Sequence, residues 1–193
     1  MDFVHDTLND GRPFRVLTVV DNWSRQSPIL DAGFRMSGAM VGDALDRALH
    51  GDRGPRSITV DHGTEFQSRA LEDGAYRRGV QLDFIRPGKP VKNAFIESFN
   101  GRLRDECLNV HQFASLAEAQ DIIEAWRMDY NHHRPHSSLG HLTPSEYAEQ
   151  RQALSKYSDL VKNRLRTGPT SFKGNLLSKA FELRGNPRIS FSL

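Results

Sequence analysis

The order of apolar runs along the chain predicts a mixed α/β domain built around one five-stranded sheet flanked by helices. Three observations predict it. Three short β-rich runs come first, helical and strand patterns then alternate twice, and from about residue 93 onward only helical periodicity remains.

The elements follow in order. "DFVHDTL" (2–8), "FRVLTVVD" (14–21) and "SPILDAG" (27–33), with "DGR" in the first turn, read as an antiparallel meander. "SGAMVGDALDRALHG" opens on Ser37 as N-cap, places Met40, Leu45 and Leu49 at helical spacing, and closes on Gly51. "SITVD" (57–61) is a short buried strand ending at an aspartate; residues 67–79 read as helix and "VQLDFI" (80–85) as the fifth strand. Helices are expected over about 93–108 and 115–132, and a last one begins at "TPSEYAEQ", where Thr143 caps and Pro144 takes the first helical position. In the 93–108 helix Phe95, Phe99, Leu103 and Cys107 recur every four residues as a buried stripe, while Asn93, Glu97, Asn100, Gly101 and Arg104 occupy the other side.

Composition bounds the function. With 193 residues, 37% hydrophobic and 26% charged, the chain can bury one core and carry a small appendage. The division expected is a core over 1–150 and a tail over 151–193. The single cysteine, Cys107, excludes a disulfide framework and a zinc site built on paired cysteines. No apolar run approaches the roughly 18 residues of a membrane span, and no secretory pattern opens the chain, so a cytoplasmic, nucleoid-associated protein with no membrane partner is expected. The net charge of +2 hides an asymmetry: residues 151–193 balance at +7 and residues 1–150 at −5. A basic tail of this kind is expected to be partly disordered and to touch phosphates.

The carboxylates carry the chemistry. Asp61 ends a strand and begins "DHGTEF", a turn in which Gly63 permits close approach to the backbone. Asp2 lies in the first strand, beside the position a strand like "SITV" would pair with, and Glu97 projects from a helix, with 35 residues between it and Asp61. Three such acids converging on one point stay ionised only if a cation compensates them, and hard divalent cations prefer oxygen ligands.

The residues "MDFVHDTL…GRPFRVLTVVDNWSR", "TVDHGTEFQS", "RPGKPVKNAFIESFNGRLRDECLN" and "WRMDYNHHRPHSSLGHLTP" resemble the catalytic core of bacterial insertion-sequence DDE transposases, a group similar to retroviral integrase with a ribonuclease-H-like fold. The resemblance spans about residues 1–147. It implies that Asp2, Asp61 and Glu97 are catalytic and hold two Mg2+ or Mn2+ ions. It also implies that Arg104, seven residues after Glu97, contacts DNA, with Arg102 and Lys92 as further DNA contacts. The implied reaction is metal-assisted attack on a phosphodiester by water or a 3′-hydroxyl, with strand transfer to target DNA. The implied partners are transposon-end and target DNA, further copies of the chain, and an upstream-frame DNA-binding protein.

Other residues compete for these roles. Asp6 points to the same side of an extended strand as Asp2, and pattern alone does not choose between them; the resemblance favours Asp2. Asp21 reads as a turn or cap residue, and Glu65 as one that orients the "DHGTEF" loop. His132, His133 and His136 are interrupted by Pro135 and lack a partnering cysteine pair, which argues against zinc. Two departures from the family pattern are His62, where Asn is usual, and Lys92, where a small or acidic residue is common. The short lead-in to Asp2 predicts a fraying first strand. Three functions are therefore expected in descending order: an active transposase core, an impaired core that binds DNA or an intact transposase, and a ribonuclease-H-like nuclease.

Overall fold

The computed structural model describes residues 1–48, 54–85 and 94–167. The chain divides into two compact units, Met1–Arg134 and Pro135–Leu193.

The first unit opens with β1 (Asp2–Thr7), β2 (Pro13–Val19) and β3 (Ile29–Gly33), an antiparallel sheet in the order β1-β2-β3. The central strand β2 is buried on both sides, which is why it reads as a continuous apolar run rather than an alternating one. Phe14 and Val16 join one core, with Val4, Leu8, Leu30 and Ala32. Leu17 and Val19 join the other, with Ile29 and Met36.

Helices cover both faces. On one side lie α3 (Ala94–Glu106) and α4 (Leu116–His133), which supply Ile96, Phe99, Leu103, Ile123, Trp126 and Tyr130 to the first core. On the other lie α1 (Gly38–Ala48) and α2 (Arg69–Arg77), which pack with the parallel pair β4 (Ser57–Val60) and β5 (Gln81–Phe84). Caps start the helices where sequence chemistry demands them. Ser68 Oγ accepts from Leu71 N at 3.3 Å and Ser115 Oγ from Glu118 N at 3.2 Å.

The expected single five-stranded sheet is instead two ladders, one of three strands and one of two. Their meeting point is narrow. The Met1 amino group donates to Thr59 O at 2.7 Å, which joins the start of β1 to β4, and Phe3 packs against the core that contains Ile58 and Val60.

Two apolar stripes differ from expectation at one described position each. In α1 the buried positions are Gly38, Val41, Ala44 and Leu45, while Met40 is exposed; Leu49 lies outside the described residues. In α3 the stripe is Ile96, Phe99, Leu103 and Cys107, and Phe95 is 46% exposed. Phe95 is covered by the guanidinium of Arg25, distant in sequence and 3.5 Å from its ring centroid, rather than by the core.

Buried polar groups in this unit are satisfied over long sequence distances. Asn131 accepts from Ser27 N and donates to Ser27 O, both at 2.9 Å, and so ties α4 to the segment entering β3 in the manner of a strand neighbour. Asp21 takes a turn-capping role, accepting from Trp23 N, Ser24 N and Ser24 Oγ at 3.1, 3.1 and 2.6 Å.

In the second unit, a bridge between His136 and Leu142 closes a tight turn with Gly140 at φ 68°, and α5 (Pro144–Thr167) follows. Thr143 and Glu146 form a reciprocal capping box: Thr143 N donates to Glu146 Oε2 at 2.9 Å, and Glu146 N donates to Thr143 Oγ1 at 3.2 Å. Residues 151–167, assigned to the basic tail by charge, continue this helix. No helix among the described residues is long and apolar enough to cross a membrane.

Candidate active site

Asp2 is the first residue of β1, opposite Thr18 of β2, whose hydroxyl donates to the Asp2 carbonyl at 3.2 Å. Its carboxylate is held from two directions. Phe3 N donates to Oδ1 at 2.7 Å, and Asn100 Nδ2, from α3, donates to Oδ2 at 2.8 Å. Asp2 is thus paired and anchored where the short lead-in predicted fraying.

Asp61 leaves the end of β4 and is fixed by the turn it begins. Gly63 N donates to Asp61 Oδ1 at 2.8 Å. A Cβ on Gly63 would stand 3.0 Å from that same oxygen and 3.4 Å from Glu65 Oε2, so a larger residue here would push on the Asp61 carboxylate. His62 braces the other side: its ring stacks on Phe84 at 5.6 Å, Nε2 lies 2.9 Å from Ile85 O, and Nδ1 lies 3.2 Å from Gln67 Nε2. A carbonyl accepts only and an amide nitrogen donates only, which assigns the proton to Nε2 in the neutral ring.

Glu97 sits in the first turn of α3, where the helix dipole favours an anion. Asn100 follows one turn later on the same face. Arg104 lies on that face too, and its guanidinium donates to His5 O at 3.3 Å. Arg102 projects from the opposite flank of the helix, and Lys92 lies outside the described residues.

Electrostatics links the three acids. Burial pushes the Asp2 carboxyl above the usual aspartate range; the bond from Phe3 N opposes this, and the charges of Asp61 and Glu97 push it further up. Burial also pushes the Met1 amino group down to about 6, against the pull of Asp2 and Asp61. Asp6, the competitor, is elsewhere: its charge acts on Cys107, whose thiol is pushed up to about 11 first by burial and then by Asp6. Cys107 stands ten residues past Glu97, about 15 Å along the helix.

Among the described residues no arginine or lysine forms an ion pair with Asp2, Asp61 or Glu97. No three His, Cys, Asp or Glu side chains of the described residues are gathered as a ready metal-binding group, the histidines of α4 included. The donor set fits a hard divalent cation in kind: three carboxylates, one of them partly desolvated beside two like charges.

The raised Asp2 carboxyl has a stability consequence. The folded state holds its proton to higher pH than the unfolded chain, so folding loses stability as pH rises from the ordinary aspartate range through the raised value. Asp2→Asn removes the repulsion but also leaves one of the two donors, Phe3 N or Asn100 Nδ2, without its acceptor at every pH, so the urea midpoint relative to the parent is expected to be higher at pH 7 than at pH 3, where both forms are neutral. A midpoint that drops equally at both pH values would show that the carboxylate is not under this repulsion.

Loop and core are joined by residues the motif spacing does not reveal. Arg15 of β2 pairs with Glu65 and lies over the Phe3 ring at 4.9 Å, while Phe3 stacks on Phe66 at 5.1 Å. Glu65 therefore fastens the Asp61 turn to the sheet. The role of Asn100 was equally unannounced, although its helical spacing from Glu97 was the available signal.

Comparison with known proteins bears on the family and the fold. The integrase core domain family matches in two overlapping stretches, residues 1–90 and 78–144. An insertion element IS407 protein of 31.7 kDa from Burkholderia multivorans is 49% identical over 155 residues, covering 80% of this chain and 56% of the relative. An insertion element IS476 protein from Xanthomonas euvesicatoria is 47% identical, covering 77% and 43%. The transposase InsF for insertion sequence IS3A of Escherichia coli is 30% identical, covering 70% and 48%. The chain thus spans about half the length of the curated relatives it matches. Among solved structures, the HTLV-2 integrase catalytic core domain in complex with magnesium superposes with a TM-score of 0.59 at 14% identity, covering 76% of this chain and 91% of that one. The BIV integrase catalytic core gives 0.56 at 14%, covering 79% and 95%. These likenesses establish the ribonuclease-H-like α/β fold. The two integrase-core matches together span residues 1–144 and the insertion-element relatives are 47–49% identical, so the chain belongs to the integrase core family.

Proposed function

We propose that this chain cuts and joins DNA at the ends of an insertion sequence, with Asp2, Asp61 and Glu97 holding magnesium or manganese. The observation that carries the reading is the neighbourhood of Asp2, a partly buried carboxylate under the charge of both Asp61 and Glu97. Two such cations, when bound, stabilise the attacking and leaving oxygens of a phosphodiester. The chain's own residues prepare the site. Gly63 N fixes one oxygen of Asp61, Asn100 orients Asp2 from α3, and the first turn of α3 favours the charge of Glu97. No side chain need become covalently attached to DNA, which separates this chemistry from recombinases that use serine or tyrosine. Arg104, Arg102 and Lys92 supply positive charge to DNA from the α3 region, and further copies of the chain complete an assembly that pairs two element ends.

A second reading is a core that binds DNA without cutting it. It is favoured by the spread of the three carboxylates, which are not gathered as a ready metal group.

Manganese titration of the full chain, followed by thermal unfolding and by cleavage of element-end duplex, separates the readings. At a hundredfold excess over its dissociation constant a cation held by the acids adds about 2.7 kcal/mol, and Glu97→Gln is expected to remove most of that gain. Stabilisation with nicking of the duplex supports the transposase reading. DNA binding with neither stabilisation nor nicking supports the second, and cleavage confined to RNA in a hybrid would overturn both.

A further inference from the structure

The geometry points to a second DNA-binding feature, distinct from the catalytic face: Arg25, Arg102 and the exposed ring of Phe95 form a platform for a phosphodiester backbone on the far flank of α3. This rests on the reading of DNA as substrate.

The helix separates the two surfaces. Ile96, Phe99, Leu103 and Cys107 face the core. Glu97, Asn100 and Arg104 lie on one side of that stripe, while Phe95 and Arg102, seven residues apart, share the other.

Arg25 is brought to this flank by an unusual backbone. It sits at φ 62°, a left-handed conformation that an arginine adopts at a cost of about 1–2 kcal/mol. The turn around it is fixed: Asp21 N donates to Gln26 O and Arg25 N to Asp21 O, both at 2.8 Å. The side chain donates to Asn22 O, and its guanidinium carbon lies over the Phe95 ring. A guanidinium stacked on a ring keeps its in-plane N–H groups directed outward, the arrangement suited to bidentate phosphate recognition.

Charge at this flank is left over. Arg134 also approaches, but Glu106 and Asp129 neutralise it. Among the described residues neither Arg25 nor Arg102 has a carboxylate partner. Their joint presence is felt by Tyr130, whose hydroxyl is pushed up to about 12 by burial while the charges of Arg102 and Arg25 pull it down. Arg102 likewise repels Arg134. Residues 1–150 balance at −5, so this cluster stands out against an otherwise acidic part of the chain.

The test is the salt dependence of duplex DNA binding by the full chain, measured in EDTA and in the Asp61→Asn background, so that neither metal nor cleavage contributes. Arg25→Gly keeps a residue suited to the left-handed turn, and Arg102→Gln alters an exposed position; both are expected to fold. Each should weaken binding about tenfold and reduce the slope of log Kd against log salt by about one. Arg69→Gln on α2, an exposed arginine outside the cluster, should change neither. Unchanged slopes for Arg25→Gly and Arg102→Gln, with DNA still bound, overturn the platform and leave the transposase reading standing. Absence of any DNA binding overturns both. A shift in sedimentation with no change in slope makes the patch a contact between copies and overturns the platform.

Discussion

An Asp61→Asn chain is expected to fold as the parent does and to cleave element-end DNA about a thousandfold more slowly, a loss of about 4 kcal/mol in transition-state stabilisation. The two halves of that expectation have separate causes. Asparagine keeps the carbonyl oxygen that accepts from Gly63 N, so the turn after β4 retains its internal bond. Asp61 is also exposed, and its replacement removes no packing. What disappears is one negative charge from a set of three, and a divalent cation loses both a ligand and part of the field that attracts it. Circular dichroism and thermal unfolding check the fold, and a nicking assay with manganese checks the rate. Wild-type rates in this variant would show that Asp61 is not in the site.

Phe99→Ala is expected to cost about 3–5 kcal/mol of stability, the largest effect of any single change considered for the fold. The ring is 2% exposed and meets Trp126 and Tyr130 edge-on, at 5.5 and 5.0 Å between centroids. Trp126 and Tyr130 stack on each other at 5.3 Å, so Phe99 closes a three-ring cluster between α3 and α4. The residue lies between Glu97 and Asn100 in sequence. Loosening it therefore frees the helix that presents both to Asp2, and activity should fall further than the folded fraction does. Guanidinium denaturation gives the first quantity, and a rate normalised to the folded fraction gives the second. A loss below about 1 kcal/mol would mean that the cluster repacks around the gap.

Sequence reading went furthest where function depends on local order. The Asp61 turn, the Glu97 helix and the caps at Thr143 and Ser37 are local patterns, and each element appears where its residues predict. It fell short where a long-range contact decides. Phe95 and Ile96 are both apolar and adjacent, and helical spacing admits a stripe through either; Arg25, seventy residues earlier, settles the phase by covering Phe95. Met40 and Val41 pose the same ambiguity in α1, and burial selects Val41. The tie of Asn100 to Asp2 spans 98 residues, and that of Arg15 to Glu65 spans 50, so neither leaves a local trace. Nor does strand propensity say where a ladder stops, which is why one sheet was expected and two were found.

That break in the sheet moves the burden of holding the site from backbone to side chains. Asp2 belongs to the three-stranded ladder and Asp61 follows the two-stranded one, and among the described residues one backbone bond, Met1 N to Thr59 O, crosses between them. Pairing inside either ladder therefore does not itself hold the two acids together. What does is the apolar core that Leu17, Val19 and Ile29 share with Ile58 and Val60, together with the Arg15–Glu65 pair and the Phe3–Phe66 stack, so the spacing of the acids is set by packing rather than by strand register.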